Sequence, residues 1–353
     1  MQIDQKILTD QVQKNCDIAD ARHAGEQTLC VYLLKMREFF RWERQKSFTD
    51  SLAKAEVGAW ITQKEQYWEQ LGNSEFAPIR VSGAEYDPFD TEGLNAVLNP
   101  QGLVYSGGLS GFSRPNFFLG ELRNSEDHAP SPLSGNYHIR ISSREFARNL
   151  TAPPAYTLGT HIFIRRESLR RVIWEKIEEW QWRKRNNAME RALTGYDYET
   201  DPGLSLEQIT DLELNTVVLH EIGEVKASAL LGEKWRELLF QLPPSQAERM
   251  ARAVKDHIAD CLSTLPSLIE QNNQASLHFY FSNLGALRHE LFPQLTKAYQ
   301  LWLDNDNLAT IENTVKRGCQ HWQNLAQQML TLFDRYGPHC APHIEKMVHN
   351  NIL

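Results

Sequence analysis

The chain has 353 residues, of which 41% are hydrophobic and 23% are charged, and its formal net charge is −8 at pH 7. This composition is typical of a soluble globular protein with a sizeable core, and the net negative charge disfavours nucleic acid as a partner. No apolar run approaches the roughly 18 residues of a membrane span, and the polar N-terminus lacks the apolar core of a secretion signal. The five cysteines form no Cys-x-x-Cys pair, so we expect reduced thiols in a cytoplasmic protein without a membrane partner.

The first of three predicted regions, residues 1–75, is a helical segment. Apolar residues recur among charges at helical spacing in the stretch "DARHAGEQTLCVYLLKMREFFRWERQ". A second helix is predicted to begin with Thr49 or Asp50 as its N-cap and to end at Gly72. Neither helix carries a recognisable catalytic pattern.

The second predicted region, residues 76–165, contains short apolar runs between clustered prolines and glycines. A turn around Pro88 and a short helix come first, and a polar loop, "RNSEDHAPSPLSGN", interrupts the region later. Four runs are typical of short strands: "GLVYSGG", "RPNFFLGEL", "NYHIRIS" and "THIFIRR". The pattern predicts a small antiparallel β-sheet.

The third predicted region, residues 166–353, is an antiparallel helical bundle. Its long helices are expected over about 167–193, 205–231, 244–271, 274–304 and 307–336, with a short helix beginning near Pro342. The predicted fold class is therefore mainly α, within the α+β class.

The helix expected over 205–231 carries the most informative residues of the chain. Glu213, His220 and Glu224 share one face at the 3.6-residue period, whereas most other positions are apolar. A helix of this kind should be buried, and a buried carboxylate or imidazole must be paired, hydrogen-bonded or metal-bound. A Lys or Arg beside Glu224 would satisfy it and would weaken a metal interpretation.

The string "TVVLHEIGE" within this helix resembles the His-Glu-x-x-His helix of zinc peptidases, except that Glu224 stands in place of the second ligand His. In that family the two ligands at i and i+4 bind zinc, and the Glu after the first His activates a water molecule. The resemblance implies that His220 and Glu224 are metal ligands and that Glu221 is the catalytic base. The substituted ligand places peptidase activity in question.

The next helix contains a second polar group, Asp256, His257 and Asp260, between apolar residues. Antiparallel packing across the short connection would bring these residues near His220 and Glu224, and a following segment adds His278, Tyr280 and Arg288. Imidazole and carboxylate groups are the ligand set of zinc, iron or manganese. The candidate metal ligands are Glu213, His220, Glu224, Asp256, His257 and Asp260.

Three functions fit these residues. The first is a mononuclear zinc hydrolase built on His220, Glu224 and His257, with Glu221 as the base that activates water. The second rests on Glu213-x6-His220, a spacing that resembles the first ligand helix of the heme-oxygenase-like dimetal oxidases, which implies two iron or manganese ions. The third is a non-enzymatic scaffold or interaction protein whose buried acids and histidines only pair with one another.

The stretches "EYDPFDTEGLNAVLNPQGLVYSGG", "RPNFFLGEL" and "LHEIGE" together are similar to an uncharacterised bacterial family of about this length. The resemblance spans most of the chain. It implies no activity, substrate or partner, so the mechanism depends on the candidate residues alone.

Overall fold

The structure is a computed structural model that describes residues 3–110, 114–123, 137–183, 187–196 and 198–353. The chain divides into two compact units, Met1–Glu175 and Lys176–Leu353. The first unit contains helices and β-strands, and the described part of the second is helical. The predicted class, mainly α with a small amount of β, is confirmed.

Four helices of the first unit precede its larger sheet: α1 (Gln5–His23), α2 (Leu29–Glu43), α3 (Lys54–Leu71) and α4 (Thr91–Leu98). The predicted start of α3 is wrong, since its N-cap is Ala53. The Asp50 carboxylate instead accepts a hydrogen bond from the backbone N–H of Ser47 at 2.8 Å, so it stabilises the preceding turn. The predicted end at Gly72 is confirmed.

Two sheets belong to the first unit. Strands β1 (Ile79–Val81) and β2 (Ala84–Tyr86) form a hairpin whose two-residue turn, Ser82-Gly83, has positive φ at both positions, which glycine tolerates best. The larger sheet consists of β3 (Leu103–Ser110), β4 (Arg114–Leu122), β5 (His138–Arg148), β6 (Ala155–Leu158) and β7 (His161–Arg165). Its strand order is β3-β4-β5-β7-β6.

The larger sheet contains the four predicted strands and one unpredicted strand, β6. Its neighbouring strands are antiparallel except for β5 and β7, which pair in parallel, so this sheet is mixed. Strand β6 lies at the sheet edge, and all four of its residues are half-buried. The predicted polar loop before β5 lies almost entirely outside the described residues.

Helix α1 covers one face of the larger sheet because its apolar residues repeat on one side. Leu8, Val12 and Cys16 are buried against Phe117 and Leu119 of β4. A second apolar cluster joins α2 and α3 through Phe39, Phe40, Trp60 and Trp68. The predicted regions 1–75 and 76–165 therefore share one compact unit.

Helix α5 (Arg166–Arg183) follows β7 and spans the boundary between the two units. The second unit continues with α6 (Ala188–Leu193), α7 (Pro202–Leu231), α8 (Glu233–Gln241), α9 (Gln246–Ala259), α10 (Leu265–Glu270), α11 (Gln274–Asn283), α12 (Ala286–Leu291), α13 (Pro293–Asn305), α14 (Ala309–Tyr336) and α15 (Ala341–His349). One π-helical turn, Asp260–Thr264, joins α9 to α10.

Two of the predicted long helices are interrupted. Asn187 has an extended backbone and caps α6, so the helix predicted over 167–193 is not continuous. The helix predicted over 274–304 breaks at Leu284-Gly285 and again at Phe292, which precedes Pro293. The ring of a proline disfavours helical backbone at the residue before it, which explains the second break.

Among the described residues, no helix is long and apolar enough to cross a membrane.

Candidate functional site

The candidate site lies between α7 and α9, which pack closely in the second unit. A Cβ atom added to Gly223 of α7 would lie 2.3 Å from the backbone oxygen of Ala259 at the end of α9, a distance that no real contact allows. Glycine at this position therefore lets the two backbones approach each other. The helices are antiparallel, because His220 pairs with Asp260 while Glu224 pairs with Lys255.

Three of the predicted metal ligands meet at this contact. One ligand atom each from His220, Glu224 and Asp256 lies within 4.8 Å of the other two, and all three side chains are half-buried. His220 and Glu224 are one helical turn apart on α7, and Asp256 faces them from α9. The arrangement brings together an imidazole and two carboxylates from neighbouring helices.

Asp260 lies behind this group and fixes the orientation of His220. Its Oδ1 atom is 2.8 Å from His220 Nδ1, and the residue is only 1% exposed. Oδ1 also accepts a hydrogen bond from the Thr264 hydroxyl at 3.0 Å, and Oδ2 accepts from the Tyr280 hydroxyl at 2.8 Å and from Arg288. With these four partners, Asp260 does not belong to the group of three, and its role as a metal ligand stays a prediction.

The charges around Asp260 set the protonation of both groups in the pair. Burial alone disfavours the Asp260 carboxylate, but the neighbouring Arg288 and His220 hold the pKa of Asp260 well below its ordinary value. Burial also disfavours the His220 imidazolium, yet the charge and hydrogen bond of Asp260, with Glu221 and Glu224, raise the pKa of His220 to about 10. His220 is therefore a cation at neutral pH in the absence of another ligand.

The two carboxylates of the group have incomplete partners. Lys255 Nζ lies 2.7 Å from Glu224 Oε2, whereas the buried Glu224 Oε1 has no hydrogen-bond partner among the described residues. Burial, opposed by Arg288 and reinforced by the charge of Glu224, raises the pKa of Asp256. Both carboxylates are therefore only partly compensated by their neighbours.

The π-helical turn places Asp260 at the end of α9. Pro266 follows this turn and has no backbone N–H, so the α-helical hydrogen bond to the residue four positions earlier is missing. The backbone N–H of Leu265 instead bonds to the carbonyl of Asp260, five residues back. The widened turn is the local feature that carries the Asp260 and Thr264 side chains.

His257, another predicted ligand, does not join this group. It follows Asp256 by one residue, which turns its ring about 100° around the helix axis. The ring stacks on Trp322 at 4.8 Å, and Nε2 lies 3.2 Å from the carbonyl oxygen of Arg288. Burial and the charge of Arg288 lower the pKa of His257 to about 3, so it is a neutral core residue.

Glu213 also lies apart from the group of three, and its place in a dimetal ligand set stays a prediction. It lies seven positions before His220, about 10 Å along the helix axis. Its Oε1 atom accepts a hydrogen bond from the Ser276 hydroxyl at 2.8 Å, and Oε2 has no partner within the described parts of the chain. Burial, only partly offset by the Ser276 hydrogen bond, raises the pKa of Glu213 to about 7.

Some contacts of the candidate site were not identified from the sequence. Lys255 was missed, although its place directly before Asp256 on a helix antiparallel to α7 is a usable signal. Tyr280 and Arg288 were noted only as polar residues in the following segment, and their convergence on Asp260 depends on the fold. His278 stacks on Trp302 at 4.8 Å and hydrogen-bonds the Tyr299 hydroxyl, away from the group.

Comparison with known protein families gives two matches. A model described as the N-terminal domain of a family of unknown function, DUF6866, matches residues 7–165. A model of the C-terminal domain of the same family matches residues 170–351, which include the whole candidate site. No curated protein and no solved structure matches the chain. The similarity to an uncharacterised family expected from the sequence is confirmed.

Proposed function

The chain belongs to DUF6866, a family of unknown function, and we therefore propose its function from the geometry of the site: a metal-dependent hydrolase of the cytoplasm. In this proposal His220, Glu224 and Asp256 hold one divalent cation in the cleft between α7 and α9. Asp260 orients His220, and Glu221 serves as the base that accepts a proton from water.

The hydrogen bond between His220 Nδ1 and Asp260 carries the proposal. A metal-binding histidine typically donates its other ring N–H to a carboxylate, which fixes the ring and leaves the second nitrogen for the metal. With Nδ1 engaged, Nε2 is the nitrogen that remains for a ligand. Lys255 pairs only with Oε2 of Glu224, so Oε1 is the carboxylate oxygen that remains for the cation.

The donor set favours zinc, iron or manganese. One imidazole and two carboxylates are ligands of intermediate and hard character, and cations of this group accept both. Binding displaces the proton that His220 carries in the metal-free protein, since a protonated imidazole cannot coordinate. Three protein ligands also leave a coordination position for water, as in catalytic zinc sites.

Such a cation supplies Lewis acidity when bound and lowers the pKa of a coordinated water molecule. Glu221 follows His220 directly, and its charge contributes to the raised pKa of His220, so the carboxylate is electrostatically coupled to the site. In the proposed step, Glu221 takes a proton from water, the oxygen adds to the substrate, and the proton passes to the leaving group.

Metal analysis tests the binding part of the proposal. Protein purified without chelator, and chelator-treated protein titrated with Zn²⁺, Mn²⁺ or Fe²⁺, should hold one cation per chain. His220→Ala should lose it, since one of three ligands is removed, with at least about a tenfold loss of affinity. His349→Gln is the matched control, because His349 is exposed and lies on α15.

Three results would overturn the binding proposal: no cation bound in any loading condition, equal binding in His220→Ala, or equal loss in the control. Two iron or manganese ions per chain would favour the dimetal oxidase instead. Circular dichroism of each variant shows whether a loss of metal reflects unfolding. Glu224→Gln and Asp256→Asn provide independent ligand removals if His220→Ala does not fold.

Activity against chromogenic esters, phosphate esters and peptides tests the hydrolase part. The metal-loaded protein should cleave at least one class, and Glu221→Gln should retain the metal but lose roughly 100-fold or more in turnover, as expected for a removed general base. Equal turnover in Glu221→Gln would contradict the role of Glu221.

A second candidate, the non-enzymatic scaffold with a buried polar network, is favoured by the two ion pairs Lys255–Glu224 and Arg288–Asp260. A lysine beside Glu224 is the feature that weakens a metal interpretation, because it already supplies positive charge. In the scaffold alternative Lys255→Met destabilises the fold and no variant binds a cation. In the hydrolase proposal the same variant binds the cation more tightly, because a competing charge is removed.

A further inference from the structure

A large cavity of about 670 Å³ opens in the first unit, far along the chain from the candidate metal site. This volume lies within the range of small-molecule binding sites, roughly 300–1,000 Å³. Its lining is unusual in the number of cations: Arg41, Lys46, Arg144, Arg148, Arg170 and Arg171. The rings of Trp42 and Phe48 also line it.

Two buried arginines lie beside Glu145, a carboxylate of the cavity lining. Arg165 donates to both oxygens of Glu145, at 3.1 and 2.6 Å, and the Ser168 hydroxyl donates to the same carboxylate at 2.6 Å. Arg148 is 3.9 Å from Glu145, too long for a hydrogen bond. Glu145 therefore neutralises Arg165 and leaves Arg148 only weakly compensated.

Arg148 is a buried cation that lacks hydrogen-bond acceptors. The residue is 2% exposed, and its guanidinium carbon lies 4.7 Å from the centre of the Trp42 ring. Its side chain donates no hydrogen bond within the described residues, and its Nε atom is fully buried. Burial lowers the pKa of Arg148 to about 10, so the group is still charged at neutral pH. A buried charge whose hydrogen-bond donors are left unsatisfied is costly unless a ligand accepts from them.

Among the other cationic side chains of the lining, two form ion pairs with carboxylates and two others form none within the described residues. Arg41 donates to Glu38 at 3.2 Å, and Arg171 lies 2.6 Å from Glu175. Arg144 and Lys46 are exposed, and neither forms an ion pair with the carboxylates of the described chain.

Three further lining carboxylates, Asp10, Glu43 and Glu167, oppose these cations only partly. Glu43 accepts hydrogen bonds from the Trp60 indole at 2.5 Å and from Lys64 at 3.3 Å. Glu167 accepts a hydrogen bond from the backbone N–H of Glu145 at 2.7 Å, and burial together with the charge of Glu145 raises the pKa of Glu167. Asp10 is exposed to solvent. Arg148, Arg144 and Lys46 thus give the cavity an excess of positive charge.

We propose that this cavity binds a small organic dianion, a phosphate ester or a dicarboxylate, with Arg148 as its central contact and Arg144 and Lys46 at the exposed side. The planar guanidinium of arginine matches both anions with two parallel hydrogen bonds. Trp42 and Phe48 provide an apolar surface for the carbon skeleton of the ligand. The proposal is independent of the metal site, because every lining residue belongs to the first unit.

Calorimetric titration of the full-length protein tests this proposal, with ribose 5-phosphate, succinate and neutral ribose as probes. At least one dianion should bind with a Kd below about 1 mM, and ribose should not bind. The stronger dianion identifies the ligand class. Arg148→Met, which keeps an apolar side chain of similar length, should weaken binding at least about tenfold because charge-assisted hydrogen bonds are lost.

Arg144→Gln should weaken binding about threefold to tenfold, and it keeps the test decisive if Arg148→Met fails to fold, because Arg144 is exposed. Arg80→Gln is the matched control, since Arg80 is exposed, pairs with Glu85 and lies outside the cavity. Binding of neither dianion, or binding unchanged in Arg144→Gln and in a folded Arg148→Met, would overturn the proposal.

Discussion

Glu213 and His220 lie two turns apart on one face of α7, and burial acts on them in different ways. Near Glu213 the side-chain contact is the neutral Ser276 hydroxyl, so burial dominates and the uncharged acid is favoured. Near His220 the Asp260 carboxylate outweighs burial, so the imidazolium is favoured. The difference depends on partners from other helices, which residue type and spacing do not specify.

The raised pKa of Glu213 predicts a stability that falls with pH. The folded pKa, about 7, lies above the ordinary value of 4.5, so the folded state holds this proton more tightly than the unfolded state. The stabilisation that this bound proton provides is complete below pH 4.5 and is lost as the pH rises through about 7. Above that pH the buried, charged carboxylate lowers the free energy of unfolding by a constant amount. Glu213→Gln removes the penalty and should be more stable than the native protein at pH 8 by about 1–3 kcal/mol.

Urea unfolding at pH 4.5 and at pH 8 measures this effect, and the gain should vanish at the lower pH. Glu233→Gln is the matched control because Glu233 is an exposed residue of α8. A Glu213→Gln variant that is destabilised equally at both pH values would contradict the prediction.

Helix α7 shows how an element can be predicted while its packing is not. Its nearly continuous apolar sequence indicated a buried helix, and the predicted residues 205–231 agree closely with the observed Pro202–Leu231. Gly223 lies in the interior of this helix, where glycine is about 1 kcal/mol less favourable than alanine. Its contact with Ala259 explains why the unfavourable residue is suitable there.

Gly223→Ala should therefore destabilise the protein although alanine is the better helix former. The added Cβ would meet backbone atoms of Ala259, which cannot move without shifting α9, and we expect a loss of about 1–3 kcal/mol. Gly58→Ala is the matched control: Gly58 lies in α3 with no atom within 4 Å of an added Cβ, and we expect a gain of roughly 0.5–1 kcal/mol. Thermal unfolding should show opposite signs, and equal shifts in both variants would refute the packing explanation.

At the scale of the whole molecule, each unit contains one candidate site. The residues of the candidate metal site lie between positions 220 and 260, inside the second unit, and the cationic cavity lies inside the first. The family models match the chain in two parts, 7–165 and 170–351, near the boundary at residue 175. Large apolar clusters within each unit give each its own core.

A fragment of residues 166–353, which keeps α5 whole, should fold alone. Its core contains large buried side chains such as Trp235 and Trp322, and we expect a cooperative transition with a free energy of unfolding of roughly 5 kcal/mol or more. Near-ultraviolet circular dichroism and urea unfolding measure this. A fragment with helical far-ultraviolet signal but no cooperative transition would show that its core needs the first unit.

The sequence by itself determined the fold class, the four principal strands, the long helices α7 and α14, and the family. These follow from local periodicity and from turn-forming residues, which act over a few positions. It also indicated the pair of helices that carries the site. Local pattern failed where two signals competed, as at Phe292 before Pro293, and at Asp50, which stabilises a turn instead of capping α3.

Only the tertiary structure decided which side chains meet. It grouped His220, Glu224 and Asp256, directed His257 toward Trp322, left Glu213 two turns away and made Asp260 an outer partner. It also paired Lys255 with Glu224 and assembled the arginines of the first unit around a cavity. These outcomes depend on the rotation and spacing of packed elements, where a rotation of about 100° per residue separates the candidate ligand Asp256 from the core residue His257.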